Sequence, residues 1–327
     1  MEVLKDREGM LVYRDGNTAV KHARDKENIE GLRNSYRFLS KLSPEYVPSV
    51  VEYTGNKLAM EYIKPVEVTD TEKARRNSIK MLNHFRRKGI IHGDLTAVNI
   101  IFTHNNMPVA IDWDQSNFWS EPKPQKRPKP DAEHMWPAIV KHAGDPSRVI
   151  RRWIEVRKHI EYYLPWGTFL DLGTHQGDFV GMACAEGMTG YGVDNGQIRS
   201  DCLDTANALW KGEFEEDVRF ILSDIDQYLQ PLHTNEMHIG MYFSTWVYHV
   251  HDFGLQIAAD TLRKAIEVCE ILFFETQLFG DGPGIPQHKT IDDVYTMLSD
   301  LTSKPIEKVV TIPVGGRPAE RTVWKVG

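Results

Sequence analysis

The second half of the chain alternates short apolar runs with longer segments of helical periodicity. The apolar runs cover residues 168–172, 190–194, 218–222, 237–243 and 270–275. Runs of this length predict strands, and strands that alternate with helices predict a parallel α/β sheet. Two later runs, 306–314 and 320–326, flank Gly315-Gly316 and predict an antiparallel hairpin that closes the sheet.

The middle of the chain predicts a boundary between two domains. Residues 121–130 are rich in proline and lysine, and such a segment forms an extended surface loop. Helical spacing follows over 131–143 and over 146–163, the second helix beginning after a possible Ser147 cap. Since a single core rarely grows past about 250 to 300 residues, a chain of 327 residues favours two domains. We expect domains at 1–145 and 166–327, with a bridging helix over 146–165.

Composition and charge narrow the function classes. The chain is 41% hydrophobic and 26% charged, with no long apolar stretch or signal-like N-terminus, which indicates a globular, cytoplasmic protein without a membrane span. Residues 1–150 carry a net charge of +4 and residues 151–327 one of -11. An acidic second half disfavours nucleic acid and favours a small-molecule or glycan acceptor. The three cysteines are widely spaced and suggest neither a disulfide nor a zinc site.

The densest chemical motif in the first half is His-Gly-Asp-Leu-Thr-Ala-Val-Asn over residues 92–99. Asp112 follows Asn99 by thirteen residues, in Ala-Ile-Asp-Trp-Asp. A carboxylate and an amide on one loop, with a second carboxylate after a neighbouring strand, are the groups that phosphoryl transfer needs. One carboxylate orients the attacking hydroxyl, and the oxygen ligands bind Mg²⁺.

These residues resemble the protein kinase-like superfamily, especially its aminoglycoside phosphotransferase branch. The resemblance implies a kinase-like fold in which Asp94 is the catalytic base and Asn99 and Asp112 hold Mg²⁺. It also implies that Lys21, in Ala19-Val20-Lys21, contacts the phosphates of ATP. Glu61, within residues 58–63, falls at the hinge that would hold adenine.

The sequence departs from this family at three places. Only Gly9 is available for the glycine-rich loop, and Ser35 stands where the lysine's glutamate partner is expected. Glu30 is the substitute partner that we expect for Lys21. The region after Asp112 is also too short for the usual helical C-lobe. Two other readings stay open: the polar residues cap turns, or the domain is a catalytically inactive relative.

A second set of polar residues follows the strands predicted in the second half. The strand over 168–172 runs into a turn with glycines at 173 and 177, where the backbone can approach a ligand. Asp194 ends the next strand, 23 residues after Asp171, at the place where ribose hydroxyls are bound. Asp224 follows the third strand and is a candidate contact for an adenine amino group.

This pattern resembles the class I S-adenosylmethionine-dependent methyltransferases. The resemblance implies a Rossmann-like fold in which Asp171, Gly173, Gly177, Asp194 and Asp224 bind S-adenosylmethionine. It also places the segment 243–252 beside the transferred methyl group, where His249 is a candidate base, although a histidine in such a segment is more often buried and structural. A dinucleotide site is the weaker alternative, because Asp171 lies within the first strand. His175, at a position that is commonly glycine, either contacts the cofactor or lies exposed in the loop.

Together the two resemblances predict a bifunctional enzyme that uses ATP, Mg²⁺ and S-adenosylmethionine. Bacterial O-antigen chain-terminating kinase-methyltransferases are similar in domain types, with the domain order reversed and a larger kinase. One hypothesis is that the second domain methylates the phosphate that the first adds, which requires cations to seat the acceptor. Candidates for those cations are Arg263, Lys264, Arg317 and Arg321. The rivals are a methyltransferase with a degenerate kinase-like binding domain, and two independent activities.

Overall fold

The computed structural model describes residues 1–118, 131–143, 148–197, 199–279, 285–313 and 320–327. The chain forms two compact units, Met1–Ser147 and Arg148–Gly327. The loop 121–130, Ser147 and the Gly315-Gly316 turn, all singled out in the sequence, lie outside the described residues.

The first unit begins with an antiparallel sheet in the order β1-β2-β3-β5-β4. Its strands are β1 (Glu2–Arg7), β2 (Met10–Asp15), β3 (Thr18–Ala23), β4 (Val50–Tyr53) and β5 (Lys57–Glu61). Helix α1 (Lys26–Leu39) connects β3 to β4 and starts at Asp25, whose side chain accepts a hydrogen bond from the Asn28 N–H at 2.9 Å. This cap satisfies one of the N–H groups that a helix start leaves unpaired.

Two short two-stranded sheets and two helices complete this unit. The helices are α2 (Thr71–Arg87) and α3 (Asp131–Ala143), and the strands are β6 (Ile90–Ile91), β7 (Ile100–Phe102), β8 (Pro108–Ala110) and β9 (Asn117–Phe118). Strand β6 pairs with β9, and β7 with β8. The expected loop of residues 92–99 therefore connects β6 to β7, and Asp112 follows β8. A five-stranded sheet with one helix, followed by a helix and these two short sheets, is the kinase-like fold that the motifs predicted.

The second unit contains a seven-stranded sheet in the order β12-β11-β10-β13-β14-β16-β15. The strands are β10 (Thr168–Leu172), β11 (Thr189–Asp194), β12 (Val218–Leu222), β13 (Met237–Phe243), β14 (Cys269–Glu275), β15 (Ile306–Pro313) and β16 (Glu320–Val326). Strands β10 to β14 are parallel, and β16 runs antiparallel to both β14 and β15. The parallel sheet with a C-terminal antiparallel hairpin is confirmed, and its strand order is that of the Rossmann-like class I methyltransferase fold.

Helices cover the parallel part of this sheet. They are α4 (Arg148–Ile160), α5 (Asp178–Ala185), α6 (Cys202–Phe214), α7 (Ile225–Leu229), α8 (Trp246–Phe253), α9 (Leu255–Val268) and α10 (Ile291–Leu301). The central strands are the most buried, as in β13, where six of seven residues are buried. This is the pattern expected when helices lie on both sides of a parallel sheet.

Helix α4, expected to bridge the domains, lies in the second unit. The buried carboxylate of Glu186, just after α5, accepts hydrogen bonds from Trp153 Nε1 at 2.9 Å and Arg157 Nε at 2.6 Å. Trp153, Val156 and Ile160 are buried on the face that the sequence predicted. These contacts attach the helix to the core of the second unit.

Two simpler expectations concern the membrane and the cysteines. Within the described part of the chain, no helix is both long and apolar enough to cross a bilayer. Cys184, Cys202 and Cys269 are buried as free thiols.

Candidate active sites

The loop between β6 and β7 brings Asp94 and Asn99 into direct contact. The Asn99 amide donates hydrogen bonds to Asp94 Oδ2 at 2.8 Å and to the Asp94 carbonyl oxygen at 2.9 Å. Because the nitrogen of the amide is used in this way, its carbonyl oxygen is the atom left for a cation. The arrangement fits the roles that the resemblance implies for these two residues.

Asp131, which was not among the predicted site residues, holds this loop in place through hydrogen bonds to its backbone. Its two carboxylate oxygens accept the backbone N–H groups of His92 at 2.8 Å and of Gly93 at 2.9 Å. Burial raises the pKa of Asp131 to about 6, although the two amide hydrogen bonds act in the opposite direction. The only sequence signal for this role was an aspartate at the start of a predicted helix, which is also the signal of an ordinary cap.

His92 holds the same loop to the strand that leads to Asp112. Its Nε2 lies 2.9 Å from the Ile111 carbonyl oxygen, and its ring lies 4.4 Å from the Trp113 ring, centroid to centroid. His92 is completely buried. It therefore has the structural role that is usual for a buried, hydrogen-bonded histidine.

Lys21 forms an ion pair with Asp112. Its Nζ also lies 3.8 Å from Asp114 Oδ1. Burial works to raise the pKa of Asp112, but the hydrogen bond with Asp114 and the charge of Lys21 outweigh it and hold that pKa below its usual range. Burial and the hydrogen bond with Asp112 raise the pKa of Asp114 to about 6.

Glu30 is not the partner of Lys21, contrary to expectation. Its carboxylate is exposed and pairs with Arg33 at 3.1 Å, within the same helix. At the next residue, Gly31, α1 packs closely on the loop after Asp112: Gly31 has no side chain, and a Cβ there would lie 3.1 Å from Asp114 Cβ. Asn34 Nδ2 fixes the loop by donating to the Asp114 and Ser116 carbonyl oxygens, both at 2.9 Å.

Gly9 and Glu61, the other residues expected near ATP, have defined backbone partners. Gly9 has a φ of +83°, and a Cβ there would overlap the Asp25 carboxylate. Its carbonyl oxygen accepts the Arg24 N–H at 2.7 Å, so the turn is packed against the start of α1. Glu61 ends β5, and its N–H donates to the Ser49 carbonyl oxygen at 2.8 Å.

The second unit has a cavity of about 300 Å³ at the carboxyl ends of its parallel strands. Its lining includes the three predicted aspartates, Asp171, Asp194 and Asp224, and also Gly173 and His249. In open α/β sheets, ligands bind at this edge, where the strand order reverses, and here it reverses between β10 and β13. The volume is at the lower end of the roughly 300 to 1,000 Å³ that is typical of small-molecule sites.

The turn after β10 requires its two glycines. Gly173 has a φ of +81° and Gly177 one of +73°, which side chains rarely adopt. A Cβ at Gly173 would overlap Thr245, and one at Gly177 would overlap the Phe220 ring. The glycines thus allow the turn to pass close to its neighbours, so that the backbone borders the cavity.

Asp194 and Asp224 lie at one end of this cavity, where their partners hold them in place. The Asp194 carboxylate accepts the backbone N–H groups of His175 at 3.0 Å and of Gly196 at 2.8 Å. Asp224 Oδ1 accepts the side-chain amide of Asn195 at 2.9 Å. Since each carboxylate oxygen can accept two hydrogen bonds, these groups fit the ribose and adenine of S-adenosylmethionine. Asn195 was missed because a single amide after a strand carries no distinctive signal.

Asp171 differs from these two carboxylates because it is nearly fully buried. Burial raises its pKa to about 7, and the charges of Asp194 and Asp178 act in the same direction. A cationic group in the cavity would stabilise its ionised form. The site therefore suits a ligand with a positive charge, such as a sulfonium and an ammonium group.

His249 and Tyr242 form a buried pair beside the predicted methyl site. Tyr242 Oη and His249 Nδ1 lie 2.8 Å apart, and His249 also lines the cavity. Burial lowers the pKa of His249, and the opposing charges of Asp226, Asp224 and Asp252 do not offset this. The imidazole is therefore neutral at pH 7. Tyr242 gave no sequence signal, since it reads as one more aromatic residue of an apolar strand.

A buried ionic cluster joins α4, β14 and β16 next to the cavity. Glu275, which has no exposed surface, pairs with Arg152 and with Arg321, the latter at 3.3 Å. Arg321 Nη1 also donates to Ser244 Oγ at 2.8 Å. Arg152 lines the cavity, whereas the sequence predicted only that its helix was amphipathic.

The other predicted cations are not gathered at the cavity. Arg263 pairs with Asp260, and Lys264 with Glu267 at 3.2 Å, each within one turn of α9. Arg317 lies outside the described residues. Among the described residues, no group of three histidine, cysteine, aspartate or glutamate side chains could hold a metal ion. Mg²⁺ in the first unit would accordingly be held by Asn99 and Asp112 with oxygens of the nucleotide and water.

Comparison with family models gives a match to the first unit. The family model of the RIO domain matches residues 5–149. The sequence motifs had favoured the aminoglycoside branch of the kinase-like superfamily. The match ends at the start of α4 and covers less than half of the chain.

Solved structures give weaker similarities. The bifunctional kinase-methyltransferase WbdD is 18% identical, with a TM-score of 0.45, over 57% of this chain and 42% of that one. A SAM-dependent methyltransferase from Archaeoglobus fulgidus is 16% identical, with a TM-score of 0.38, over 54% of this chain and 94% of that one. The chain spans less than half the length of the WbdD structures that it matches. Similarities of this size do not extend to function.

Proposed function

We propose that the chain is a bifunctional enzyme, an ATP-dependent phosphotransferase in its first unit and an S-adenosylmethionine-dependent methyltransferase in its second. The observation that carries the proposal is the cavity in the second unit. It gathers Asp171, Asp194 and Asp224 at the carboxyl ends of three adjacent strands, beside a turn that needs glycine. We place the start of the methyltransferase domain at Arg148, because α4 belongs to that unit.

In the second unit, the chain's own groups would bind and orient the methyl donor. S-adenosylmethionine supplies an electrophilic methyl group on a sulfonium. Asp194 and Asp224 would bind the nucleoside at one end of the cavity. Phe243 and Ser244, at the end of β13, line the region expected to border the methyl group. Methyl transfer depends chiefly on holding the acceptor in line with the carbon–sulfur bond that breaks, and side chains that surround the ligand can do this.

In the first unit, four residues support phosphoryl transfer to a hydroxyl of a glycan or small molecule. Asp94 would orient the hydroxyl and accept its proton, and Lys21 would contact phosphate oxygens. Asn99 and Asp112 would supply oxygen ligands for Mg²⁺. The contacts of Lys21 with Asp112 and of Asn99 with Asp94 bring these residues into two adjacent pairs on one fold.

Binding measurements on the full chain test the two activities separately. Calorimetry should show S-adenosylhomocysteine binding that Asp194→Asn weakens by about tenfold or more, since it replaces an acceptor of ribose hydroxyls by an amide. Asp201→Asn is the matched control, because Asp201 is exposed and pairs only with Arg199 among the described side chains. Equal weakening by both variants, or no binding at all, would contradict the methyltransferase assignment.

The kinase assignment has its own measurement. Wild-type protein with Mg²⁺ and γ-labelled ATP should release or transfer label, and Asp94→Asn should reduce this by about 100-fold or more. Nucleotide binding in a thermal-shift assay should persist in that variant. ATP that neither binds nor turns over, together with intact S-adenosylhomocysteine binding, would favour the reading of a degenerate kinase-like domain.

A further inference from the structure

Among the charged residues that line the methyltransferase cavity in the described part of the chain, aspartates outnumber arginines by five to two. Five aspartates contribute to the lining: Asp171, Asp178, Asp194, Asp224 and Asp252. The two lining arginines each face a carboxylate already, since Arg152 pairs with Glu275 and Arg199 with Asp201. Even with Asp171 protonated, four carboxylates remain.

An acidic cavity of this kind selects against anionic acceptors. A phosphate monoester carries a charge of about -1.5 to -2 at pH 7. Placing it among carboxylates in a partly buried site is unfavourable, because like charges repel strongly where the dielectric constant is low. Of the cations predicted to seat a phosphate, Arg263 and Lys264 pair with carboxylates of their own helix α9, Arg321 pairs with the buried Glu275, and Arg317 lies outside the described residues. The charge distribution therefore favours an uncharged acceptor.

An uncharged hydroxyl acceptor needs a group that takes its proton, and His249 is placed to do so. Its Nδ1 is held by Tyr242, which lies in the sheet and is fully buried. Its Nε2 is buried and has no hydrogen-bond partner among the residues that the structure describes. With one ring nitrogen engaged in the core, Nε2 is the nitrogen left for a ligand of the cavity that His249 lines.

Exposed apolar side chains also lie next to His249. Tyr248 and Phe253, both lining residues, are 38% and 37% exposed, and Leu255 and Ile257 beyond them are 39% and 49% exposed. The Phe253 ring also lies 5.0 Å from the His249 ring. Exposed apolar groups that adjoin a polar cavity mark a binding surface for a ligand with an apolar face.

Resting on the methyltransferase function proposed above, we infer that the methyl acceptor is an uncharged hydroxyl compound with an apolar face, such as a phenol or a sugar ring. His249 Nε2 takes the hydroxyl proton, and Tyr242 is a positioning residue that orients the imidazole. The acceptor oxygen forms the new bond to the methyl carbon as the carbon–sulfur bond breaks. The electron pair of that bond stays on sulfur, and the proton ends on His249.

The charge state of His249 agrees with this step. Burial lowers its pKa, so the ring is neutral and able to accept a proton at pH 7. Burial also raises the pKa of Tyr242 well above its usual range, so the phenol keeps its proton. The charged groups that face the imidazole are Asp224, Asp226 and Asp252, and they would stabilise the imidazolium once it forms.

Imidazole NMR of the ¹⁵N-labelled full chain tests the base directly, without turnover. In wild-type protein with S-adenosylhomocysteine, His249 should carry its proton on Nδ1, leaving Nε2 unprotonated. Tyr242→Phe should shift the balance towards the other tautomer and change the pKa of His249. A wild-type ring that is protonated on Nε2 would overturn the role of His249 as a base, since that nitrogen could then only donate.

The same spectra test the class of acceptor with two matched probes, phenol and phenyl phosphate. Phenol should perturb the Nε2 resonance of the loaded protein, and phenyl phosphate at equal concentration should not. His251→Asn, an exposed neighbour on the same helix, should respond to phenol as wild type does. A stronger response to phenyl phosphate, or none to phenol, would overturn the inference. Absence of S-adenosylhomocysteine binding would instead contradict the methyltransferase function itself.

Activity of the variants provides an independent measure. His249→Asn should lower methyl transfer by about 100-fold or more while leaving S-adenosylhomocysteine affinity within about threefold. Tyr242→Phe should shift the pH–rate profile rather than abolish transfer, which a merely structural role would not produce. An unchanged profile in Tyr242→Phe would contradict the positioning role.

Discussion

Lys21 Nζ lies 3.8 Å from Asp114 Oδ1, and this contact accompanies the ion pair of the same lysine with Asp112. Both carboxylates come from the loop after β8, so the lysine is held by that loop and not by a glutamate of α1. Close packing explains why the loop, and not a glutamate of α1, holds the lysine. Gly31 and Asn34 let α1 approach the loop at the point where a longer side chain would stand.

Asp114→Asn should lower phosphoryl transfer by about 10- to 100-fold, because Lys21 loses part of what positions it for phosphate. Steady-state kinetics with ATP and Mg²⁺ would measure the change. Glu30→Gln is the matched control, since Glu30 is exposed and contacts Arg33. If Glu30→Gln were as damaging as Asp114→Asn, Glu30 would again be the better candidate for the lysine's partner.

Asp131→Ala should loosen the loop that carries Asp94. The substitution leaves the His92 and Gly93 amides without their acceptor, at a cost of about 1–3 kcal/mol for each buried group. Hydrogen exchange of a peptide that covers residues 90–99 should show faster exchange in the variant. Asp131→Asn, which keeps one acceptor oxygen, should fall between the variant and wild type. Unchanged protection in Asp131→Ala would show that other contacts hold the loop.

Glu275→Ala should destabilise the second unit by about 3–5 kcal/mol, because it removes the carboxylate that lies between two buried guanidinium groups. Calorimetric unfolding would measure this as a lower Tm for that unit. Glu307→Ala provides the comparison, since Glu307 pairs with Lys325 at the surface and such pairs contribute about 0–1 kcal/mol. Equal effects of the two substitutions would contradict a specific role for the buried cluster.

His288 should make the second unit less stable as the pH falls. Burial lowers the pKa of His288 to about 4, and its ring stacks on Trp246 with centroids 6.2 Å apart. Because the unfolded chain binds the proton first, the stabilisation is complete above about pH 6.5 and is lost as the pH falls through 4. The stabilisation lost over this pH range is roughly 3 kcal/mol.

His288→Phe keeps a ring against Trp246 but cannot titrate, so its stability should depend less steeply on pH between about 6.5 and 4. Denaturant unfolding at a series of pH values would show the difference. His233→Asn, at an exposed site, should behave as wild type does. His249 titrates in the same direction in every one of these proteins, so it does not obscure the comparison.

The sequence by itself determined the two folds and the places of the polar motifs. The apolar runs predicted the strands of the second sheet to within one residue at the ends that the structure describes, because buried parallel strands must be continuously apolar. The motifs around Asp94 and Asp194 were visible for a related reason. Each of these two motifs lies at or just after the end of a strand, so its position along the chain nearly defines its position in space.

Only the tertiary structure decided which groups meet across distant parts of the chain. Asp131 reaches the loop of His92 from 39 residues away, and Arg321 meets Glu275 from 46 residues away. The pairing of Lys21 with Asp114, and not with Glu30, depends on how closely α1 packs, which no local pattern encodes. Tyr242 and His249 are near in sequence, but their contact requires the geometry of a strand turning into a helix. In each case burial and packing, which are properties of the whole fold, set the partner.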